Sequence, residues 1–294
     1  MDQFSISQLS RFSGIKPHTI RIWEKRYNAL EPDRSSGNVR YYTNHQLRRL
    51  LNLVSLLKSG HKISAISGLP DTALNSLVSK TIHKPVTEGL NELYILQLLS
   101  AGMNFDQPVF EKTFAHCMLR MGLREMYTGV MLPLLERVGQ LWAEDTMPPA
   151  QEHFMTNILR QKIITATDAL PPAAKAISSW VLFLPEDEFH ELGLLMAQFL
   201  LQQAGHQVYY LGSSVPVSAV EQITHRVNPQ NLLLFLVHQD LPELLFDYLK
   251  QLSVRFPDQQ IHVAANPERW VDTSSLSNII WLNNVTDLEK ILIC

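Results

Sequence analysis

Pro17-His-Thr-Ile-Arg-Ile-Trp-Glu-Lys-Arg-Tyr27 is the stretch that decides how this chain begins to fold. Proline at its head suits the first turn of a helix, where the amide hydrogen it lacks would have no partner anyway. Ile20 and Trp23 fall three apart and predict one inward edge. His18, Thr19, Arg21, Lys25 and Arg26 are left pointing outward as a row of hydrogen-bond donors. Upstream, Ser5-Ile-Ser-Gln-Leu-Ser sets a capping serine before Ile6 and Leu9, and Gly14-Ile15 makes the tight turn into Pro17. The result is helix, turn and helix, and a second helix with this outer face belongs in a DNA major groove.

Beyond it, Pro32-Asp-Arg-Ser-Ser-Gly-Asn-Val-Arg-Tyr-Tyr42 reads as a small hairpin turning at Ser36-Gly37-Asn38, with Arg34 and Arg40 projecting, followed by a helix from Asn44 to Lys58. A basic wing of this kind grips the duplex backbone. Charge agrees: residues 1–80 carry 12 Lys and Arg against 5 Asp and Glu, whereas the other 214 residues are net acidic and bring the whole chain to −3. The basic end should face a polyanion.

This stretch resembles the MerR family of regulators. The family pattern Thr-hydrophobe-Arg-x-Trp-Glu-x-Arg-Tyr stands at Thr19 to Tyr27, the wing ending Gly-x-x-Arg-x-Tyr at Gly37, Arg40 and Tyr42, and the Gly-x-x-Ile that closes the next helix at Gly60 to Ile63. The resemblance covers residues 4–70. It implies a double-stranded DNA operator as partner, contacted by His18, Thr19, Arg21, Lys25, Arg26, Tyr27, Arg34, Arg40 and Tyr42. Many members dimerise through a long helix after this module; here Gly60, Gly68, Pro70 and Pro85 interrupt one, so assembly is expected from later domains.

The rest of the chain changes regime twice. From near Val86 the pattern is helical: Leu90, Leu93, Leu96 and Leu99, then Phe110 to Leu123, Met126 to Trp142, and Gln151 to Leu170, which together predict a four-helix bundle. Pro171-Pro172-Ala-Ala-Lys reads as a linker. After it come short apolar strands at Trp180–Leu184, Gln207–Leu211, Leu232–Val237, Ile261–Ala264 and Ile279–Leu282, separated by amphipathic helices. That alternation predicts a flavodoxin-like open parallel sheet. The expected organisation is therefore multidomain, α and α/β: a winged helix-turn-helix over residues 1–75, a bundle over 86–170 and a Rossmann-like domain over 176–294.

Pro185-Glu-Asp-Glu-Phe-His-Glu-Leu-Gly193 follows the first of these strands, at the carboxyl edge where open α/β sheets bind ligands. Glu188 two residues before His190 is placed to accept a hydrogen bond from one ring nitrogen, leaving the other for a metal. Glu188, His190 and Gly193 resemble the lower-ligand motif of cobalamin-binding domains, in which the histidine ligates cobalt and the displaced nucleotide tail enters the domain. Trp142 followed after nine residues by Glu152-His153 resembles the bundle signature of cobalamin-sensing regulators, where the tryptophan lies against the axial group. Together the three parts resemble the cobalamin-dependent, light-responsive repressors of carotenoid genes. The resemblance implies adenosylcobalamin as cofactor, cobalt carried within it and held by His190, a photoreceptor role, and a homo-oligomer, dimer or tetramer, whose state follows the cofactor.

Two positions depart from that pattern. Cobalamin domains place Ser or Thr at the third strand and Gly-Gly at the fourth to line the tail channel; here the third strand ends Leu236-Val237-His238-Gln239 without a hydroxyl, and the fourth ends Val263-Ala264-Ala265. Ala143 also stands after Trp142, where some light-sensing relatives carry a second histidine. A cofactor-independent regulator that uses this domain for assembly or for a regulatory protein partner therefore stays open beside the cobalamin-controlled one. An enzyme is not expected, since no nucleophile, acid and base come together in the sequence outside the corrin site. The longest apolar run, Asn231–Val237, is too short for a membrane span, and the chain opens without a signal-like segment. With only Cys117 and Cys294 as thiols, a cytoplasmic protein is expected.

Overall fold

A computed structural model describes residues 4–34, 39–82, 90–143, 147–172, 176–237 and 242–293. The wing turn at Ser36-Gly37-Asn38, the Pro85 break, part of the linker at 173–175, and His238-Gln239 lie outside these residues. Contacts divide the chain into two units, Met1–Ile158 and Leu159–Cys294.

The first unit opens with α1 (Ile6–Ser13), held by the Ser5–Gln8 capping box and stopped by Gly14 at φ 70. Helix α2 (Pro17–Tyr27) buries Ile20 and Trp23 as their spacing predicts. Strands β1 (Asp33–Arg34) and β2 (Arg40–Tyr41) pair antiparallel as the wing, and α3 (Asn44–Lys58) follows within the predicted limits. Two shorter helices, α4 (Ile63–Ile66) and α5 (Asp71–Ile82), are separated by Gly68 and Pro70, so no long helix runs on from the module.

The bundle then comprises α6 (Leu90–Met103), α7 (Gln107–Met126), α8 (Leu132–Ala143) and α9 (Pro149–Asp168), the last crossing from the first unit into the second. Two details were not foreseen. Gly122, at φ 79 and ψ 163, breaks α7, and Tyr127–Met131 form a π-helical turn leading into α8. Pro133 supplies the reason for the second: its ring and missing amide disrupt the bond to the carbonyl four residues back, and a wider turn absorbs the mismatch. Helix α3 packs on α6 within this unit. The seam carries a polar contact, with Gln97 donating to Ser55 Oγ at 3.2 Å and to Asn52 Oδ1 at 3.4 Å, while Asn52 donates to Asn75 Oδ1 of α5 at 2.7 Å.

The second unit carries β3 (Ser179–Phe183), α10 (Leu192–Gln203), β4 (Gln207–Gly212), α11 (Val217–Val227), β5 (Asn231–Leu236), α12 (Pro242–Arg255), β6 (Gln260–Ala265), β7 (Ile279–Leu282) and α13 (Val285–Ile293). All five strands are parallel, in the order β4-β3-β5-β6-β7. The chain leaves β3 through α10 to one side and returns through α11 to the other, so the order reverses at β3 and opens a crevice at the carboxyl ends of β3 and β5. One face of the sheet packs Val181, Phe183, Leu232, Leu234, Leu236, Ile261 and Val263 against α11 and α12. The alternate residues face the other way.

At the opposite end of that second face, Trp180 packs against His262 with tilted rings, centroids 4.7 Å apart, and meets His206 edge-on. His262 Nε2 pairs with Asn231 Oδ1 at 3.1 Å, while Nδ1 is buried without a hydrogen-bond partner among the described residues. Burial pushes the imidazole down from 6.5 to about 4 and lowers His206 as well. A proton on Nδ1 would be a buried donor with nothing to donate to. The unfolded chain takes up that proton below pH 6.5 and the folded one only near 4, so stability is full above 6.5, falls through the window 6.5 to 4, and levels off below it. His262 alone is expected to remove about 3 kcal/mol across that window. Urea midpoints measured between pH 7.5 and 4 check this, and a slope that His262→Phe fails to reduce would contradict it.

Candidate functional site

The outer face of α2 presents His18, Arg21, Lys25 and Arg26 to solvent, with Thr19 half-buried and its hydroxyl 3.4 Å from His18 Nε2. The Arg26 guanidinium lies 5.7 Å from the ring centre of half-buried Tyr27, which limits its freedom. Arg34 and Arg40 stand exposed on the two wing strands. Glu24, on the inner flank of α2, ties wing to helix: it pairs with Arg40 Nε at 3.5 Å and accepts from the Tyr42 hydroxyl. Tyr42 itself is fully buried, and its backbone pairs with Phe4 on both sides. It was expected among the DNA contacts; the structure makes it a brace for the wing instead, because a ring closed off from solvent cannot reach a duplex. Burial and Glu24 push its hydroxyl well above the usual tyrosine range, so it stays a donor.

Arg49 was missed. Its guanidinium donates to the carbonyls of Ala29 at 2.8 Å, Leu69 at 3.0 Å and Ser67 at 2.5 Å, and pairs with Asp71. One side chain thus joins the end of α2 to α4 and α5. The signal available in the sequence was only an arginine between Leu47 and Leu50 on an otherwise apolar helix edge.

In the bundle, Trp142 ends α8 and is 50% exposed, too open for a core aromatic. Glu152 and His153 lie in the first turns of α9, where His153 Nδ1 approaches Glu152 Oε2 at 2.6 Å. The side chain of Ala143 lies outside the described residues.

At the crevice of the second unit, Glu188 is 5% exposed and its carboxylate is crowded with donors. Oε1 accepts from the amides of Phe189 at 2.9 Å and His190 at 3.0 Å and lies 2.6 Å from His190 Nδ1; Oε2 accepts from the Val237 amide at the end of β5, at 2.9 Å. A carboxylate only accepts, so Nδ1 carries the hydrogen and the lone pair sits on Nε2. His190 is 52% exposed, next to the exposed side chains of Phe189 and Val237. An oriented imidazole amid apolar surface can bind a metal edge-on. Among the described residues no three His, Cys, Asp or Glu side chains cluster as a metal site. Next in sequence, Glu191 holds Arg160 of α9 at 2.8 and 2.9 Å and accepts from Tyr210 at 3.4 Å.

Gly193 lies in the first turn of α10, where ring atoms of Phe235 from β5 occupy the space a side chain would need. Phe235 and Ala264 are register partners and share that face; Ala265 packs into the core on the opposite face. The two alanines therefore face opposite sides of the sheet, Ala264 on the side of Phe235 and Ala265 on the side of α11 and α12.

Two family models match the chain, one described as MerR HTH family regulatory protein over residues 4–71 and one as B12 binding domain over residues 94–166. The chain joins a MerR-type helix-turn-helix module to a B12-binding domain. It is homologous to the HTH-type transcriptional repressor CarH of Myxococcus xanthus, with 26% identity over 257 residues, 86% of this chain and 85% of that one. It is likewise 26% identical to the HTH-type transcriptional repressor CarA of the same organism over 240 residues, covering 81% and 78%. The monomethylamine corrinoid protein of Methanosarcina barkeri superposes with a TM-score of 0.53 on 68% of this chain and 97% of its own, at 16% identity, a likeness of fold. In this MerR-type, B12-binding-domain chain the helical match falls on α6 to α9 and includes Trp142, Glu152 and His153. No helix among the described residues is long and apolar enough to cross a membrane.

Proposed function

We propose that this chain is a sequence-specific transcriptional regulator of the repressor kind, acting as a homo-oligomer on a double-stranded operator. Its assembly state and operator affinity are set by adenosylcobalamin and by light acting through it. The observation that carries the reading is His190, held at the switch point of the sheet by a buried carboxylate with Nε2 as its ligating atom, in a chain that begins with a MerR-type module. When bound, the cofactor would supply a cobalt centre for His190 to hold through Nε2. The chain's own part is to feel that change: Glu188 ties His190 to β5, and Glu191 ties the same loop to Arg160 on α9, so strain on the imidazole reaches both elements. Control of DNA binding requires that the cofactor favour one assembly state over another. Trp142, Glu152 and His153, which lie within the helical match to a B12 binding domain, support the same choice of cofactor. Both named relatives are repressors, which supports reading the chain as a regulator rather than an enzyme.

The direct test is to mix the protein with adenosylcobalamin in the dark, desalt it, and record the visible spectrum with the solution mass and operator affinity before and after green light. Retained corrin with a light-dependent mass is the expected result; no retained corrin sinks it. Arg21→Ala is expected to weaken operator binding by about 1–3 kcal/mol with relaxed specificity at one base pair, if this arginine reads a guanine. Equal weakening on all sequences would mark it as a phosphate contact.

A second reading is favoured by Phe235, whose ring takes the place beside Gly193: a cofactor-independent regulator that keeps the domain for assembly or for a protein partner. It requires that His190→Ala leave operator affinity and mass unchanged in the presence of adenosylcobalamin.

A further inference from the structure

Cobalamin brings its own base to the lower face of cobalt on a nucleotide tail. For His190 to take that position the base must leave, and the tail must enter space beside the imidazole. Three residues on, Gly193 carries no side chain where the first turn of α10 meets the sheet, which is the space beside this loop that such a tail would use. That gap is filled. Phe235 Cε1 and Cδ1 lie 2.6 and 2.8 Å from where a β-carbon on Gly193 would stand, closer than any real side chain approaches. Ala264, in register with Phe235, turns its methyl to the same face, and one layer below Leu182 and Leu233 are paired and fully buried. A charged phosphate and a ribose would have to displace an aromatic ring and lie against Ala264, Leu182 and Leu233, whose side chains offer no hydrogen bonds. The lower-ligand position fits a corrin, and the groove beside it admits the tail only by displacing the Phe235 ring, at a cost in affinity.

We propose that Phe235 is a specificity-determining residue that makes this domain select corrinoids without a nucleotide tail, of the cobinamide class. Such a corrin presents an open lower face to His190 and needs no groove. The proposal rests on the reading of His190 as an axial ligand given above, and the two fail differently.

Adenosylcobinamide and adenosylcobalamin are titrated in the dark into the full-length protein and into Phe235→Ala and the milder Phe235→Leu, with circular dichroism as the check on folding. The unaltered protein is expected to bind adenosylcobinamide at least about 10-fold more tightly, the equivalent of one overpacked site. In Phe235→Ala that preference should shrink or reverse through a gain in adenosylcobalamin affinity, with Phe235→Leu between. Equal affinity of the unaltered protein for both corrins, or a preference that neither folded variant changes, overturns the role of Phe235. Failure of every protein to retain either corrin overturns the cofactor reading itself, and the proposal with it.

Discussion

Arg49→Ala is expected to cost the first unit about 3 kcal/mol or more and to abolish measurable operator binding, although Arg49 touches no DNA in this reading. Its guanidinium is mostly buried and satisfies the carbonyls of Ala29, Ser67 and Leu69 while pairing with Asp71. Removing it leaves three acceptors and a carboxylate without their donor, and breaking such a hub costs far more than losing an exposed ion pair. Ala29 lies two residues past the end of α2, so the same loss frees the helix that carries Arg21, Lys25 and Arg26. Thermal melting and operator titration check this together. Arg49→Lys, with one point charge in place of a planar fork, should recover less than half of the stability. An Arg49→Ala protein that melts within a degree of the parent would refute the assignment.

Glu188→Ala should lower corrinoid affinity about 10- to 100-fold, the range seen when a metal-binding histidine loses the group that orients it. It should also destabilise the second unit by about 3 kcal/mol, because three backbone amides, of Phe189, His190 and Val237, lose their acceptor at a largely buried point. Glu188→Gln discriminates the two effects. Its amide oxygen keeps one set of backbone bonds, but its NH2 group faces donors, so stability should recover more than affinity. Titration of adenosylcobinamide with parallel melting curves separates them, and unchanged affinity in both variants would mean that His190 needs no orienting partner.

Much of the architecture was legible because it rests on local periodicity. Ser5, Gly14 and Pro17 mark helix ends by backbone chemistry that operates within one turn, and Asn44 to Lys58 could be bounded to the residue. The five strands were placed within a residue or two because apolar runs between helical stretches have few other homes. His190 and Glu188 were legible for a similar reason, since two residues of spacing after a strand already brings carboxylate and imidazole together. The π-helical turn before Pro133 was not, because the helical periodicity passes through it unbroken.

By itself, then, the order of residues determined the helix-turn-helix, the bundle, the parallel sheet and the loop that aims His190, all of which depend on contacts a few residues apart or on the period of burial. Only the tertiary structure decided which long-range partners close each site. Tyr42 looked like a surface residue until the wing folded it onto Glu24. Arg49 drew no reading of its own until the folded chain brought three backbone carbonyls onto it. Phe235 was one of six apolar residues in a row, and a strand apolar throughout carries no alternation to say which side chains face which helix. Register with Ala264 and the close approach of α10 at Gly193 settle that, because a side chain's direction is set locally whereas what it meets depends on elements dozens of residues away.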